Sequence, residues 1–197
     1  MTTPTRNRHT TRLPGYDYTQ PGGYYVTIVT HGREPVLGAV VDGTVVLATP
    51  GVIVQQTWRD LPHHFANVML DEFVIMPNHV HGIVMITDGI RIKPDMMDGN
   101  CRGEASGNDI TGEPTHIMPD ASPLPHGTQR GSLGAILQNF KSISARRINA
   151  MQNTSGQPFW QRNYHEHVIR NETDLQIIRQ YIHDNPSKWE LDEENQP

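Results

Sequence analysis

Residues 67–87 read NVMLDEFVIMPNHVHGIVMIT, and they predict a hairpin of two adjacent strands. Asn67 to Ile75 and His79 to Thr87 are both strand-like, and Pro77-Asn78 supplies the turn between them. Because side chains alternate between the two faces of a strand, His79 and His81 share one face while Val80 points into the core. The hairpin therefore places two imidazoles on the same side of a predicted sheet.

The segments before this hairpin predict one strand and an extra hairpin. Tyr24 to Thr30 is rich in β-branched and aromatic residues and follows Gly22-Gly23. Leu37 to Val41 and Thr44 to Leu47 flank Asp42-Gly43, a pair that readily adopts the positive φ angles of a type I′ turn.

Three helices and a further strand complete the pattern. Thr49-Pro50 predicts a capped helix to about His64, apolar residues recur at helical spacing from Ser132 to about Asn149, and Phe159 to Arg170 is a strand candidate. A last helix is predicted to begin at Thr173, with Gln176 completing its cap, and to stop before Pro186. This order predicts an α+β fold, with a ferredoxin-like βαββαβ core, an antiparallel sheet, an extra N-terminal hairpin and a C-terminal helix that carries Tyr181.

The length of 197 residues predicts a single domain. Residues 88–130 have no sustained apolar period, and we expect them to form a flexible insertion. The single cysteine, Cys101, excludes an internal disulfide, and a polar N-terminus without long apolar runs predicts a cytoplasmic protein that does not contact membranes.

The net charge of −5 is unevenly distributed along the chain. Residues 130–170 hold six basic side chains and one acidic side chain, Glu166, whereas residues 171–197 hold seven acids against Arg179 and Lys188. This separation allows a locally positive surface on an acidic protein, but an acidic tail is also common for solubility alone.

The last helix carries the residues that would complete a site around the two histidines. Tyr181 and Asn185 lie one turn apart beside the apolar stripe of this helix, so their side chains leave it together. An amide oxygen from Asn185 is a suitable ligand for a hard cation, and a phenol beside that cation is close to where a bound phosphate would lie. His183 is a competing donor that should face away from Tyr181.

Other histidines offer alternative interpretations. His79 and His81 could be ordinary polar surface residues near a turn, since a His-x-His pair alone is a weak signal. Tyr164 with His165 and His167 forms a rival constellation on the last predicted strand, or else a polar patch that orients the first pair. We expect His63, His64, His116 and His126 to be solvated side chains.

Four segments together resemble a known family. They are Gly15 to Tyr18 leading into the first strand, Val74 to Val84, Phe159 to Arg170, and Tyr181 to Pro186. The sequence resembles the single-tyrosine HUH transposases and, within them, the REP-associated tyrosine transposases. The Met-Pro-Asn-His-x-His block, followed far downstream by Tyr-x-x-x-Asn-Pro, carries most of this resemblance.

The resemblance implies a metal-dependent nuclease and strand transferase that acts on single-stranded or hairpin DNA. It implies that His79, His81 and Asn185 bind Mg²⁺ or Mn²⁺ and that Tyr181 is the nucleophile, with a 5′-phosphotyrosine link as the product. Several relatives have glutamine where Asn185 stands. A homodimer is also compatible with the resemblance, because relatives differ in whether the tyrosine helix serves its own subunit or a partner's.

Basic and aromatic side chains provide candidates for DNA contact. The predicted phosphate-binding residues are Lys141, Arg146, Arg147, Arg162 and Arg170, which Arg6, Arg8 and Arg12 could extend. Unpaired bases could stack on Tyr16, Tyr18 or Trp160. Two other functions remain open from the sequence: a non-catalytic single-stranded nucleic-acid-binding module with an RRM-like fold, and a metal-dependent phosphodiesterase that uses water in place of tyrosine.

Overall fold

A computed structural model describes residues 13, 15–88 and 129–195 of the chain. Its main sheet has four antiparallel strands in the spatial order β4-β5-β1-β6. These strands are β1 (Gly22–Val29), β4 (Val68–Ile75), β5 (His79–Ile86) and β6 (His165–Ile169). The predicted extra hairpin forms a separate two-stranded sheet of β2 (Gly38–Val41) and β3 (Thr44–Leu47).

Four α-helices accompany the strands in the described part of the chain. They are α1 (Thr49–Arg59), α2 (Leu61–His64), α3 (Leu133–Gln152) and α4 (Glu172–Asp184). The order β1-α1-β4-β5-α3-β6 confirms the predicted βαββαβ core with a C-terminal helix. Both Asp42 and Gly43 have positive φ, as a type I′ turn requires.

One face of the main sheet, which we call the core face, packs against α1 and α3. Tyr24, Val26 and Ile28 of β1 are fully buried there with Trp58 of α1 and Phe140 of α3. A glycine at position 82 allows the Trp58 ring to approach β5 closely, since a Cβ at that position would lie 2.5 Å from a ring carbon. The core face is therefore closed by aromatic packing.

The opposite face, which we call the site face, packs against α4. Ile83 of β5 contacts the apolar stripe of that helix, formed by Leu175, Ile178 and Ile182. An ion pair and a hydrogen bond fix the helix at its sides. Arg179 Nε lies 2.8 Å from Asp71 Oδ1 of β4, and His167 Nε2 lies 2.9 Å from Asp174 Oδ2. The strand register sets His79 opposite Val29 and His81 opposite Thr27, which is itself opposite His165.

Several predicted element boundaries were wrong. Ala48 occupies the N-cap position of α1 and Thr49 is already helical, while the helix is interrupted at Asp60 just before Leu61-Pro62. Asn171 caps α4 by accepting a hydrogen bond from Asp174 N–H, a role that we had predicted for Thr173. Strand β6 begins only at His165, and not at Phe159 as predicted. Among the residues before it, Trp160 forms an isolated β-bridge with Thr30.

The predicted insertion at residues 88–130 lies almost wholly outside the described residues, as do His116, His126 and the N-terminal arginines. None of the helices in the described ranges combines the length and apolarity that crossing a membrane would require.

Candidate active site

His79 and His81 converge on the site face. Their Nε2 atoms lie 2.9 Å apart, and the side chains are almost completely buried, with exposed fractions of 0% and 2%. The alternation of side chains along β5 accounts for this convergence, because both rings project from the same face of one strand.

Asn78 orients the His79 ring. Its amide nitrogen donates to the carbonyl oxygens of Glu194 and Arg33, at 2.7 and 3.2 Å, which leaves its Oδ1 facing His79 Nδ1 at 2.8 Å. Because Oδ1 can only accept, the proton of the neutral ring lies on Nδ1. The Nε2 atom of His79 therefore presents a lone pair toward His81.

Two hydroxyl groups of β1 orient the His81 ring. His81 Nδ1 lies 2.8 Å from Tyr25 Oη and 2.9 Å from Thr27 Oγ1, and the threonine hydroxyl also donates to Tyr25 at 3.2 Å. When Thr27 donates its proton to Tyr25, its oxygen accepts from Nδ1–H of His81. In that tautomer the Nε2 lone pair of His81 faces the centre of the site.

Burial keeps both imidazoles neutral. It lowers the pKa of His79 to about 4, while Glu194 has a smaller raising effect and Arg33 a smaller lowering effect on the same pKa. Burial also lowers the pKa of His81 well below its usual value, and the neighbouring His79 adds to this shift. Neutral imidazole is the form that binds metal ions.

Asp192 provides a carboxylate at the same point. It follows α4 in a segment of 3₁₀ turns, Asn185–Leu191 and Glu193–Asn195, that runs back over the site face. Its Oδ2 lies 3.7 Å from His79 Nε2, and candidate ligand atoms of His79, His81 and Asp192 all lie within 4.8 Å of one another. These three residues form a group that could hold a metal ion.

The donor set fits a divalent cation. Two ligand atoms about 2.1 Å from an ion and about 90° apart are roughly 3 Å from each other, as in octahedral Mg²⁺ coordination. The 2.9 Å separation of the two Nε2 atoms matches this value. Two lone pairs and a carboxylate facing one point also repel each other, and a bound cation removes that repulsion.

Asn185 is buried beside the end of α4, with an exposed fraction of 4%. Its Oδ1 has no hydrogen-bond partner among the described residues. A buried acceptor without a partner is costly unless a ligand satisfies it. This orphaned oxygen is compatible with the ligand role that we predicted for Asn185, in addition to the carboxylate of Asp192.

Tyr181 projects from α4 to the same region. Its ring centroid lies 5.4 Å from that of His81 and 6.2 Å from that of Tyr25, and about half of the residue is exposed. The phenol of Tyr181 therefore lies between the buried histidines and solvent, within a single chain.

The segment after α4 is fixed against the histidine turn. Trp189 lies over His79 with ring centroids 6.0 Å apart. Arg33 forms an ion pair with Glu194 at 3.0 Å. These contacts hold Asp192 close to the imidazoles.

The rival constellation is not assembled as a metal site. His167 pairs with Asp174, and His165 stands on the site face opposite Thr27. Tyr164 lies in a different place, where it lines a cleft beside α3. Among the described residues, the metal-ligand group includes neither His165 nor His167.

The predicted DNA-binding cations do not form one cluster. Lys141 and Arg162 line the same cleft, whereas Arg146 lines another and Arg147 lies 3.3 Å from Asp60. Arg170 is exposed at the end of β6. The structure thus separates the basic residues that the sequence groups together.

Sequence reasoning missed Asp192, Asn78, Tyr25 and Thr27. The last two could have been found from strand pairing, since alternate residues of β1 must face the histidine side once β1 and β5 are neighbours. Asp192 lies eleven residues beyond Tyr181 in an acidic tail, where no sequence signal distinguishes it from a solvated carboxylate.

The IS200-like transposase family model matches residues 124–185. This range includes Tyr181 and Asn185, but it does not include the two histidines of β5. A protein of Haemophilus influenzae, itself uncharacterised, is 33% identical over 187 residues, covering 95% of this chain and 92% of its own length. The chain belongs to the IS200-like transposase family.

One solved structure shares the fold of this transposase. It is the REP-associated tyrosine transposase bound to a REP hairpin, with a TM-score of 0.52 and 15% sequence identity. The likeness covers 88% of this chain and 72% of that one. At this identity the similarity supports the α+β fold.

Proposed function

We propose that this transposase cuts and rejoins single-stranded or hairpin DNA through a covalent bond between Tyr181 and a 5′-phosphate. The proposal rests above all on one observation: the Tyr181 ring lies 5.4 Å from the ring of His81, whose Nε2 faces that of His79. A nucleophile and a cation-binding pair are thus adjacent in one chain.

We assign His79 and His81 as metal ligands and Asp192 as the oxygen donor, with Asn185 as a further oxygen ligand. The cation would be Mg²⁺ or Mn²⁺, in agreement with the carboxylate and amide donors. When bound, a divalent ion polarises a phosphate oxygen and stabilises the charge that develops during attack.

Tyr181 supplies the covalent step. Its phenolic oxygen forms a bond to phosphorus and the phosphorus bond to the 3′-oxygen breaks, so that the phenol loses a proton and the departing strand gains one as a 3′-hydroxyl. The reverse attack by a 3′-hydroxyl rejoins DNA without an external energy source, because the phosphotyrosine ester retains the bond. Partial exposure of Tyr181 gives a DNA phosphate access to the phenol.

Lys141, Arg146, Arg147, Arg162 and Arg170 remain the proposed phosphate contacts. Arg147 is the weakest candidate, because its guanidinium already lies beside Asp60. Arg162 precedes β6 and Arg170 follows it, and both are exposed. They are therefore better placed to contact the phosphates of a DNA strand that runs along β6.

Covalent trapping tests the proposal. The probe is a pool of hairpin oligonucleotides with random single-stranded flanks, labelled at the 3′ end because a 5′-phosphotyrosine retains the downstream fragment. With Mn²⁺ or Mg²⁺ we expect a labelled adduct that survives denaturing electrophoresis, and its complete loss in Tyr181→Phe. Tyr24→Phe is the matched control, since Tyr24 lies on the core face.

Three outcomes would contradict the proposal. An adduct that persists in Tyr181→Phe would assign another nucleophile. Cleavage without any adduct would indicate a water-dependent phosphodiesterase, and binding without cleavage would indicate a non-catalytic module.

A further inference from the structure

Tyr25 of β1 contacts both the buried histidine pair and Tyr181. Its ring centroid lies 5.6 Å from that of His81, in a stacked arrangement, and 6.2 Å from that of Tyr181, in a perpendicular one. Its hydroxyl oxygen lies 2.8 Å from His81 Nδ1 and 3.2 Å from Thr27 Oγ1. Because Tyr25 packs half-buried against α4, it connects the metal-ligand group with the helix that carries the proposed nucleophile.

The hydroxyl of Tyr25 has one proton to donate. A phenol donates a single hydrogen bond and can accept two. Thr27 donates to Tyr25, so this contact occupies a lone pair and leaves the proton available. The proton can therefore be donated to His81 Nδ1 or toward the phenolic oxygen of Tyr181.

The environment keeps Tyr25 in its neutral, proton-donating form. Burial raises the pKa of Tyr25, the hydroxyl of Thr27 opposes this rise, and Tyr181 adds to it through its charge and through hydrogen bonding. A hydrogen bond that raises the pKa of a phenol stabilises the neutral form, in which the phenol is the donor. This sign agrees with donation from Tyr25 toward Tyr181.

The tautomer of His81 decides where this proton goes. With its ring proton on Nε2, His81 donates to the lone pair of His79 Nε2 at 2.9 Å, and its Nδ1 accepts from Tyr25 at 2.8 Å. With the ring proton on Nδ1, His81 donates to the hydroxyls of β1, and its Nε2 presents the lone pair that a metal ion requires. In this second tautomer the proton of Tyr25 is released from His81.

We infer that cation binding at the histidine pair turns the hydroxyl of Tyr25 from His81 to Tyr181, so that Tyr25 positions the nucleophile beside the bound ion. His81 stays neutral in this change, because its ring loses the Nε2 proton and gains one at Nδ1, and Tyr25 keeps one proton throughout. The inference rests on the proposed function and adds a positioning residue to it. A phenol that is already oriented needs less reorganisation before it attacks phosphorus.

The affinity for Mn²⁺ without DNA tests the inference independently of catalysis. If cation binding forms the hydrogen bond between Tyr25 and Tyr181, loss of the Tyr181 hydroxyl must weaken Mn²⁺ binding, although Tyr181 is not a ligand. We expect Tyr181→Phe to weaken Mn²⁺ binding by about threefold in calorimetric titration, and to have no further effect in the Tyr25→Phe background. Tyr24→Phe, which removes a hydroxyl from the core face, is the matched control and should leave this affinity unchanged.

Nitrogen-15 NMR of the imidazoles gives a second readout, with diamagnetic Mg²⁺ in place of Mn²⁺. We expect the ring proton of His81 on Nε2 in EDTA and on Nδ1 in saturating Mg²⁺. The ring proton of His79 should stay on Nδ1, next to the Asn78 oxygen, under both conditions.

Two results would overturn the inference. One is a ring proton of His81 that is already on Nδ1 in EDTA. The other is an effect of Tyr181→Phe on Mn²⁺ affinity that is absent, or that is the same with and without the Tyr25 hydroxyl. Failure of the proposed function gives a different pattern: the coupling without any DNA adduct contradicts the covalent chemistry alone, and an adduct without the coupling contradicts the role of Tyr25 alone.

Discussion

The core face and the site face of the main sheet are built from alternate residues of the same two strands. On the core face, Tyr24, Val26 and Ile28 are buried in apolar contacts with α1 and α3. On the site face, Tyr25 and Thr27 instead direct hydroxyl groups at His81. Both sets are shielded from solvent, so burial alone does not separate structure from function.

What differs between the faces is how polar atoms are satisfied. Apolar packing on the core face gives stability through area removed from water. The site face buries two imidazoles, and this burial disfavours their protonated forms. Hydrogen bonds on their Nδ1 atoms fix the orientation of the two rings. Substitution of His81 should therefore affect mainly metal binding, whereas substitution of the adjacent Gly82 should affect mainly the stability of the fold.

His81→Ala should have the largest effect, and on metal binding. Removing one of two nitrogen ligands should weaken Mn²⁺ binding by at least about 100-fold, which exceeds the usual loss for an outer-shell partner. Isothermal titration calorimetry measures this change. His167→Ala is the control, because His167 lies on the same face but pairs with Asp174, and an equal loss in both variants would contradict the assignment.

Gly82→Ala should act on the fold instead. The added methyl group would meet the Trp58 ring, so we expect about 1–3 kcal/mol of destabilisation in urea unfolding. In the folded fraction, Mn²⁺ affinity should remain within about twofold. Gly23→Ala should cost less, since its nearest neighbour is the flexible end of Met85; a reversed ranking would contradict the packing of the core face.

Tyr25→Phe should weaken Mn²⁺ binding by about tenfold with little change in stability, because it removes a hydroxyl that orients His81. The adjacent Tyr24→Phe removes a hydrogen bond to the Gln20 carbonyl and should lower the free energy of unfolding by about 1 kcal/mol. Calorimetry and urea titration of the two variants test whether neighbouring tyrosines separate in this way. If Tyr24→Phe were the one that impaired metal binding, the division between the faces would be wrong.

The smallest expected effect concerns the attachment of α4 to the site face. The hydrogen bond from His167 lowers the pKa of Asp174 below its usual value, with help from the Arg170 N–H. A carboxyl with a lowered folded-state pKa stabilises the protein above its unfolded pKa of about 4, and this contribution is lost as the pH falls through the folded value. Urea midpoints at pH 6 and pH 3 should therefore differ slightly less in Asp174→Asn than in wild type, and an increased difference would contradict this sign.

Much of this arrangement could be predicted because it follows from local periodicity. Strand alternation placed His79 and His81 on one face, and helical spacing put Tyr181 one turn from Asn185. The βαββαβ order of elements and the antiparallel pairing of the strands were predicted from the same kind of signal, and the structure confirms both. These signals depend on residues close together in the chain.

The rest could not be predicted because it depends on contacts between distant segments. Asp192 reaches His79 across 113 positions of sequence, through a tail that is held by Arg33 and Asn78. Asn171, and not Thr173, caps α4 because β6 ends at Ile169 and the helix begins directly after Asn171. The Asn171 side chain can then accept from the N–H of Asp174, three residues later. The separation of Arg147 from Lys141 likewise depends on the position of Asp60 in the folded chain.

Asn78 illustrates how narrow the chemical choice at one position can be. Its planar amide donates to two carbonyl oxygens from opposite ends of the chain and accepts from His79 with its remaining atom. Aspartate is its nearest isostere, yet it would direct a negative oxygen at those carbonyls, and leucine would leave three polar groups unsatisfied. In a saturation mutational scan, this turn residue should be among the least replaceable in the protein, although it is not one of the proposed metal ligands.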